Sequence, residues 1–321
     1  MRPSTLLTGL GLVCGGTAVA LVPVLTANQA ILSWGFLVLL YAALAQSWNL
    51  LGGFAGQVNL GHAAFFGLGV LVTRTLWLGG TPIAVALLAG TCAATAAGVV
   101  VGAPSLRLRG PYFAIGTLAV AEILRITVGN ALPDVSTLPA RSLAAYTLAP
   151  RYYLAMLVMV LVTGAAWWLT SSRFGHGVVA VREDEAVAEA IGVDAFRHKL
   201  WVFALSSCFA GMAGGVFAYY HLSFYPALAF GPLWTFDPLV IVYLGGVGTV
   251  WGPLIGAVFF LVLQEALSLQ VGELHLLVFG VLFIAVVIAL PGGFVEALRG
   301  LRRSGMRALR TGAGAGSQPP S

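Results

Sequence analysis

Residues 31–51 read ILSWGFLVLLYAALAQSWNLL, an apolar run without one charged side chain. As a helix it would be about 30 Å long, the thickness of a bilayer's hydrocarbon layer. The run sits inside a longer one, because from Pro3 to Thr73 there is no Asp, Glu, Lys or Arg for 71 residues. Further charge-free runs cover 75–106, 152–172, 200–236, 238–264 and 274–295. Of 321 residues, 59% are hydrophobic and 8% charged, against roughly 25% charged in soluble domains. Soluble enzymes, nucleic-acid binders, disordered chains and secreted disulfide scaffolds are excluded. The fold class is all-α: a polytopic membrane helical bundle of about 8–10 spans with Gly-rich broken or re-entrant elements.

Candidate spans lie at 6–27, 31–51, 61–79, 82–103, 111–130, 152–170, 200–221, 236–246 with 252–269, and 275–290. Residues 236–246 are too short to cross alone. They are either the end of a tilted span beginning nearer 228 or a broken, re-entrant element. Arg2 with the apolar, Ala-containing stretch behind it resembles a secretory signal peptide. Apolar character continues into 31–51, so a retained first span is expected. The permease body is expected over 1–295, followed by a basic tail over 296–321 whose end is disordered.

The net charge of +5 does not call for nucleic acid. Arg299, Arg302, Arg303, Arg307 and Arg310 follow the last apolar run, as a cytoplasmic anchor does under the positive-inside rule. Arg2, Arg107, Arg109, the 173–199 segment and the tail all fall on the cytoplasmic side in one threading, with 52–60 inside and 131–151 outside. Cys14, Cys92 and Cys208 lie in apolar runs without CxxC spacing and are expected as small core residues.

Residues 172–199, SRFGHGVVAVREDEAVAEAIGVDAFRHK, hold nine of the 27 charged side chains. The Glu- and Ala-rich part from Glu183 to Ile191 predicts a helix, with Gly192 placed to end it. Ala186, Val187, Ala190 and Ile191 share one side of that helix, which suits docking into a groove on a soluble partner. Glu122 and Arg125 stand three apart inside a span, so they share a face and neutralise one another. Asn49, Gln57, Asn59 and His62 cluster near Gly-rich turns and must face protein or water. His62 has no HxxxH or HxxE companion, so no metal is expected. Gly248, Gly252 and Gly256 form overlapping GxxxG units, as do Gly52 and Gly56, which signals close helix packing.

Segments 51–69 and 244–262 both open on Leu-Gly-Gly; this is either a weak internal repeat or a likeness of composition. Lys199 is the only lysine and no GxxxxGK[ST] run exists, so the chain carries no P-loop. No cofactor and no catalytic residue is expected.

Four blocks carry a resemblance. Residues 48–67, WNLLGGFAGQVNLGHAAFFG, are similar to NLLxGxxGQxSLGHAAFFG, with Asn59 where serine is usual. Residues 106–125, LRLRGPYFAIGTLAVAEILR, resemble LRLRGxYxAIxTLxxxEIxR, which includes the Glu122 and Arg125 pair. Residues 172–193 resemble a cytoplasmic loop that docks on an ATPase, and 242–257, VYLGGVGTVWGPLIGA, match a late Gly-rich element. The chain therefore resembles the LivM-type permease subunits of branched-chain amino-acid ABC importers, with urea and short-chain amide permeases closely similar.

The resemblance implies a non-enzymatic transport subunit in the bacterial cytoplasmic (inner) membrane, in contact with membrane lipid and with its C-terminus inside. Its implied partners are a second permease subunit in a heterodimer, two P-loop ATPase subunits and an extracytoplasmic substrate-binding protein. ATPase coupling is expected at Arg173, Phe174, Gly175, Arg182, Glu183, Asp184, Glu185 and Gly192, and the translocation path at Asn49, Gln57, Asn59 and His62. The alternatives are a permease for urea or short-chain amides and an ion-coupled secondary transporter. One departure stands out: the family's outer TGGxxG segment is replaced here by Asn130-Ala131-Leu132-Pro133-Asp134-Val135-Ser136-Thr137-Leu138-Pro139.

Overall fold

The computed structural model describes residues 28–108, 110–132, 136–137 and 146–271, with isolated positions 23, 26, 280, 281 and 293. The spans expected at 6–27 and 275–290, Cys14 and the basic tail lie almost wholly outside the described residues.

The first described span, α1 (Gln29–Asn49), starts on an Asn28 side chain that accepts from the Ala30 N–H. It runs into a π-helical turn at Leu50–Phe54, where Gly52 and Gly53 fall. Then follow α2 (His62–Leu78), α3 (Ile83–Ser105) and α4 (Pro111–Ala131). A two-residue strand β1 (Ser136–Thr137) precedes α5 (Leu148–Ser171). The charged segment folds as α6 (Arg173–Glu183) and α7 (Glu185–Ala190), and α8 (Ala195–Tyr220) crosses back. Strand β2 (Ser223–Phe224), a single turn α9 (Pro226–Ala229), α10 (Leu233–Gly245) and α11 (Gly252–Val271) complete the described chain. The strands pair antiparallel, Ser136 with Phe224 and Thr137 with Ser223.

Six of these helices are long and apolar enough to cross a membrane. The 13-residue α10 is about 20 Å long and is separated from α9, so the short element is broken rather than one tilted span. Pro238 within α10 removes one backbone donor.

Helices α1 and α8 form the centre. Of the apolar window of α8, 67% is buried, against 17% in α4 at the periphery. Helix α8 lies against α1, α2, α3 and α5, while α10 and α11 form a hairpin against α1. Lipid tails are as apolar as Leu, so burial alone gives helices little reason to associate in a bilayer; close backbone approach does. A Cβ on Gly69 would run into the Gly211 carbonyl, so α2 and α8 touch through backbone. Gly256 meets the Ile241 carbonyl in the same way across the α10–α11 hairpin, as the GxxxG spacing predicts. Cys92 is exposed on α3 and Cys208 half-buried, so Cys92 is not the core residue expected of it.

Candidate functional site

The charged segment is built by three successive caps. Ser172 accepts from the Gly175 N–H at 3.0 Å, Asp184 from Val187 at 3.0 Å and Asp194 from Arg197 at 2.9 Å. Each side-chain oxygen satisfies a donor that a helix start leaves open, so each fixes where a helix begins. The sequence predicts one helix from Glu183 to Ile191. It forms as α7, starting two residues later because Asp184 takes an extended conformation and caps it, and a further helix that the sequence did not announce, α6, precedes it. Gly192, at φ +89°, closes α7 as expected.

Of the coupling candidates, several hold the segment together. Phe174 stacks between Trp168 and His198, at 5.7 and 4.7 Å between ring centres. Gly175 is buried where a Cβ would strike the Leu169 carbonyl. Glu185 accepts from Lys199 Nζ at 2.6 Å, tying α7 to α8. Arg173 and Glu183 are exposed. Beneath α7, Ala188 packs with Val181 and Ala195. The apolar side predicted from the sequence faces outward, with Val187 59% and Ile191 72% exposed.

Arg182 carries the segment onto the glycine turns. Its Nη1 donates to the Gly53 carbonyl at 2.7 Å. Next to it, Asn49 Nδ2 donates to the Thr249 carbonyl and Asn49 Oδ1 accepts from the Gly248 N–H, both at 2.9 Å. The two Leu-Gly-Gly segments thus meet, pinned by one buried amide. Asn59 Oδ1 accepts from the Gly61 N–H at 2.8 Å, and the Asn59 carbonyl receives Trp48 Nε1 at 2.8 Å. His62 Nε2 lies 2.9 Å from Ser47 Oγ. Asn49, Asn59 and His62 are all buried. Gln57 is half-buried and lines a polar cavity of about 460 Å³ with Arg107, Asp184, Glu189 and Lys199. Of the four path candidates, then, three are interior and one faces the charged segment.

Glu122 and Arg125 bond as expected, Arg125 Nε to Glu122 Oε2 at 2.9 Å. Both side chains stand partly exposed on α4, among exposed Ile115, Ile123 and Ile126.

Two basic residues that the sequence pattern did not single out hold the far end of α8. Arg74 donates to the carbonyls of Ala218 and His221 at 3.1 and 2.9 Å, and to that of Leu222 at 2.9 Å. Arg151 donates to the Tyr219 carbonyl at 2.8 Å and lies over the Tyr146 and Tyr219 rings. A helix C-terminus presents unpaired carbonyls and the negative end of its dipole, so two guanidinium groups are well placed there. The signal available in sequence was two lone arginines at the edges of apolar runs.

An apolar multi-pass bundle, with a broken Gly-rich hairpin and a charged helical pair at one end, defines a polytopic membrane protein. The chain belongs to the family described as branched-chain amino acid transport system / permease component, which matches residues 30–287. It is similar to the high-affinity branched-chain amino acid transport system permease protein LivM of Escherichia coli (strain K12). The two are 29% identical over 316 residues, covering 88% of this chain and 72% of that one. The LivM protein of Salmonella typhimurium is 29% identical over 297 residues, covering 82% and 69%. A probable LivM protein of Methanocaldococcus jannaschii is 25% identical over 227 residues, covering 62% and 65%. No solved structure matches the chain significantly.

Proposed function

We propose that the chain is the transmembrane permease subunit of an ATP-driven importer of branched-chain amino acids, a transport subunit without catalysis of its own. The observation that carries this is the charged helical pair α6–α7. It is braced on the bundle by Arg182 and Lys199, yet leaves Val187 and Ile191 bare. A rigid base with an apolar tip is what a helix needs to enter a groove on a soluble partner. The partner is a separate P-loop ATPase, two copies serving the assembly. Phe174, Gly175, Arg182, Asp184, Glu185 and Gly192 keep the shape of the segment, while Arg173, Glu183, Val187 and Ile191 are free to contact the ATPase. This end and the C-terminus are cytoplasmic.

A second permease covers α4. An ion pair midway along a span is costly in lipid, and the Glu122–Arg125 pair is uncovered on this chain alone. The extracytoplasmic binding protein meets the opposite end, where β1 and β2 join two loops. Asn49, Asn59 and His62 act on the path by setting how tightly the glycine turns close.

Affinity purification in mild detergent, with mass spectrometry of the retained proteins, tests the proposal. A P-loop ATPase and a second permease are expected near equal amounts with the chain. Ile191→Asp is expected to lose the ATPase and keep the permease partner. An ATPase retained at the wild-type ratio would remove α7 as the docking element, and a chain that purifies alone would overturn the importer assignment.

A further inference from the structure

At the end of α8 remote from the charged segment lies a cavity of about 470 Å³. Its wall includes Tyr41, Phe217, Trp234, Asp237 and Gln264. Trp234 is held by rings on three sides: Phe66 at 4.2 Å, Phe217 at 4.7 Å and Tyr41 at 5.9 Å between centres. Its indole Nε1 donates to the Leu228 carbonyl at 3.0 Å. The hydrocarbon wall is therefore fixed before any ligand arrives, as small-molecule sites commonly are.

Asp237 is the exception in this wall. It stands in the otherwise uncharged helix α10, and its Oδ2 accepts only a long bond from the Tyr41 hydroxyl, at 3.5 Å. Among the described residues no Lys, Arg or His nitrogen lies within 4.0 Å of it. The buried charged side chains among the described residues are treated differently: Arg74 and Arg151 each have carbonyl partners, and Lys199 has Glu185. A carboxylate in an apolar helix costs free energy unless a cation or several donors meet it. Among the described residues neither lies within reach, and the carboxylate borders a space large enough for a small ligand. A cation entering the cavity would meet this carboxylate, and aromatic faces next to a cation add to the attraction.

We propose that this cavity is a binding site for an aliphatic α-amino acid, with its ammonium group on the Asp237 carboxylate and the Tyr41 hydroxyl and its side chain against Phe217 and Trp234. The choice of an amino acid among apolar amines rests on the importer function proposed above; the cation-plus-hydrocarbon chemistry rests on the cavity alone. Asp237 then selects against ligands that lack the ammonium group, and the rings select for hydrocarbon.

The test uses the full chain purified with its permease and ATPase partners, without soluble binding protein, and follows tryptophan fluorescence. Three ligands are titrated: leucine, 3-methylbutylamine (leucine without its carboxylate) and 4-methylpentanoate (leucine without its ammonium). Leucine and the amine are expected to give a saturable change that Trp234→Phe diminishes, and the acid none at the same concentrations. Asp237→Asn is expected to weaken both positive ligands by about tenfold or more, the loss of one charge-assisted contact. An acid that binds as well as the amine overturns the site using wild-type protein only, whatever the folding of the variant. Leucine binding unchanged in Asp237→Asn, with the ATPase still retained, also overturns it. Amine binding with no cellular uptake of leucine, isoleucine or valine would keep the cation site and remove the importer reading. Uptake that ignores Asp237 would do the reverse.

Discussion

The two ends of the bundle treat polar groups in opposite ways. Around the glycine turns, Asn49 bonds both Gly248 and Thr249, and Arg182 reaches Gly53. These bonds hold the two glycine turns together. At the other end, Arg74 and Arg151 spend their donors on carbonyls at and just past the end of α8 and on that of Thr147, while Asp237 has one long hydrogen bond. One end is held by bonds within the chain; the other leaves a carboxylate beside a cavity. Polar groups bonded within the chain make a rigid element, and an unmatched charge beside a cavity makes a recognition element.

Substitutions can break this contrast, and Arg74→Met should do so most. It removes the charge-assisted bonds at the α8 terminus and strands several carbonyls, a loss of about 3 kcal/mol or more. Thermal unfolding in detergent would show it, and an unchanged midpoint would mean the terminus does not need its cation. Asn49→Leu should come next, at about 2 kcal/mol, since two buried backbone partners lose their bond. Its sharper readout is uptake, expected to fall while the ATPase still co-purifies. Full uptake would show that the two glycine turns need not be pinned together. Lys199→Met should cost about 1 kcal/mol or less, because Glu185 is partly exposed and solvent screens the pair. Loss of the ATPase without loss of stability in that variant would show that the pair's main role is to aim α7.

The smallest effect concerns His221, which follows α8. Burial first, and the Arg74 charge second, hold its pKa below the ordinary histidine value. The unfolded chain then binds the proton more readily than the folded one, so stability falls as pH drops from about 7 toward 5. His221→Gln should flatten that slope slightly; an unaltered slope would place the titration elsewhere.

Much of the fold was legible because a bilayer leaves one solution for an apolar run. The spans expected at 61–79, 82–103 and 111–130 appear as α2, α3 and α4 with ends moved by a residue or two. The Glu122–Arg125 pair was legible as well, since helix periodicity alone puts i and i+3 together. Residues 173–183 were not read as a helix. Their start depends on Ser172 accepting a backbone proton, while Gly175 and Gly177 argue against a helix by propensity. The partner of Asn49 lies about 200 residues further along the chain, and no local pattern announces it. For the same reason the role of Arg74 at the end of α8 was not visible. Of the four polar residues marked in the sequence, Asn49, Asn59 and His62 are interior and Gln57 lines a cavity beside the charged segment, while no sequence pattern singled out Asp237.

The Lys199–Glu185 bond has a practical consequence. The chain has a single lysine, whose side chain is 7% exposed and whose amine is bonded to a carboxylate. Reagents that attack side-chain amines therefore find position 199 protected while α7 rests on α8. Labelling there, followed against time with and without ATP, becomes a clock for the separation of those two helices. The chain carries this reporter without an added probe.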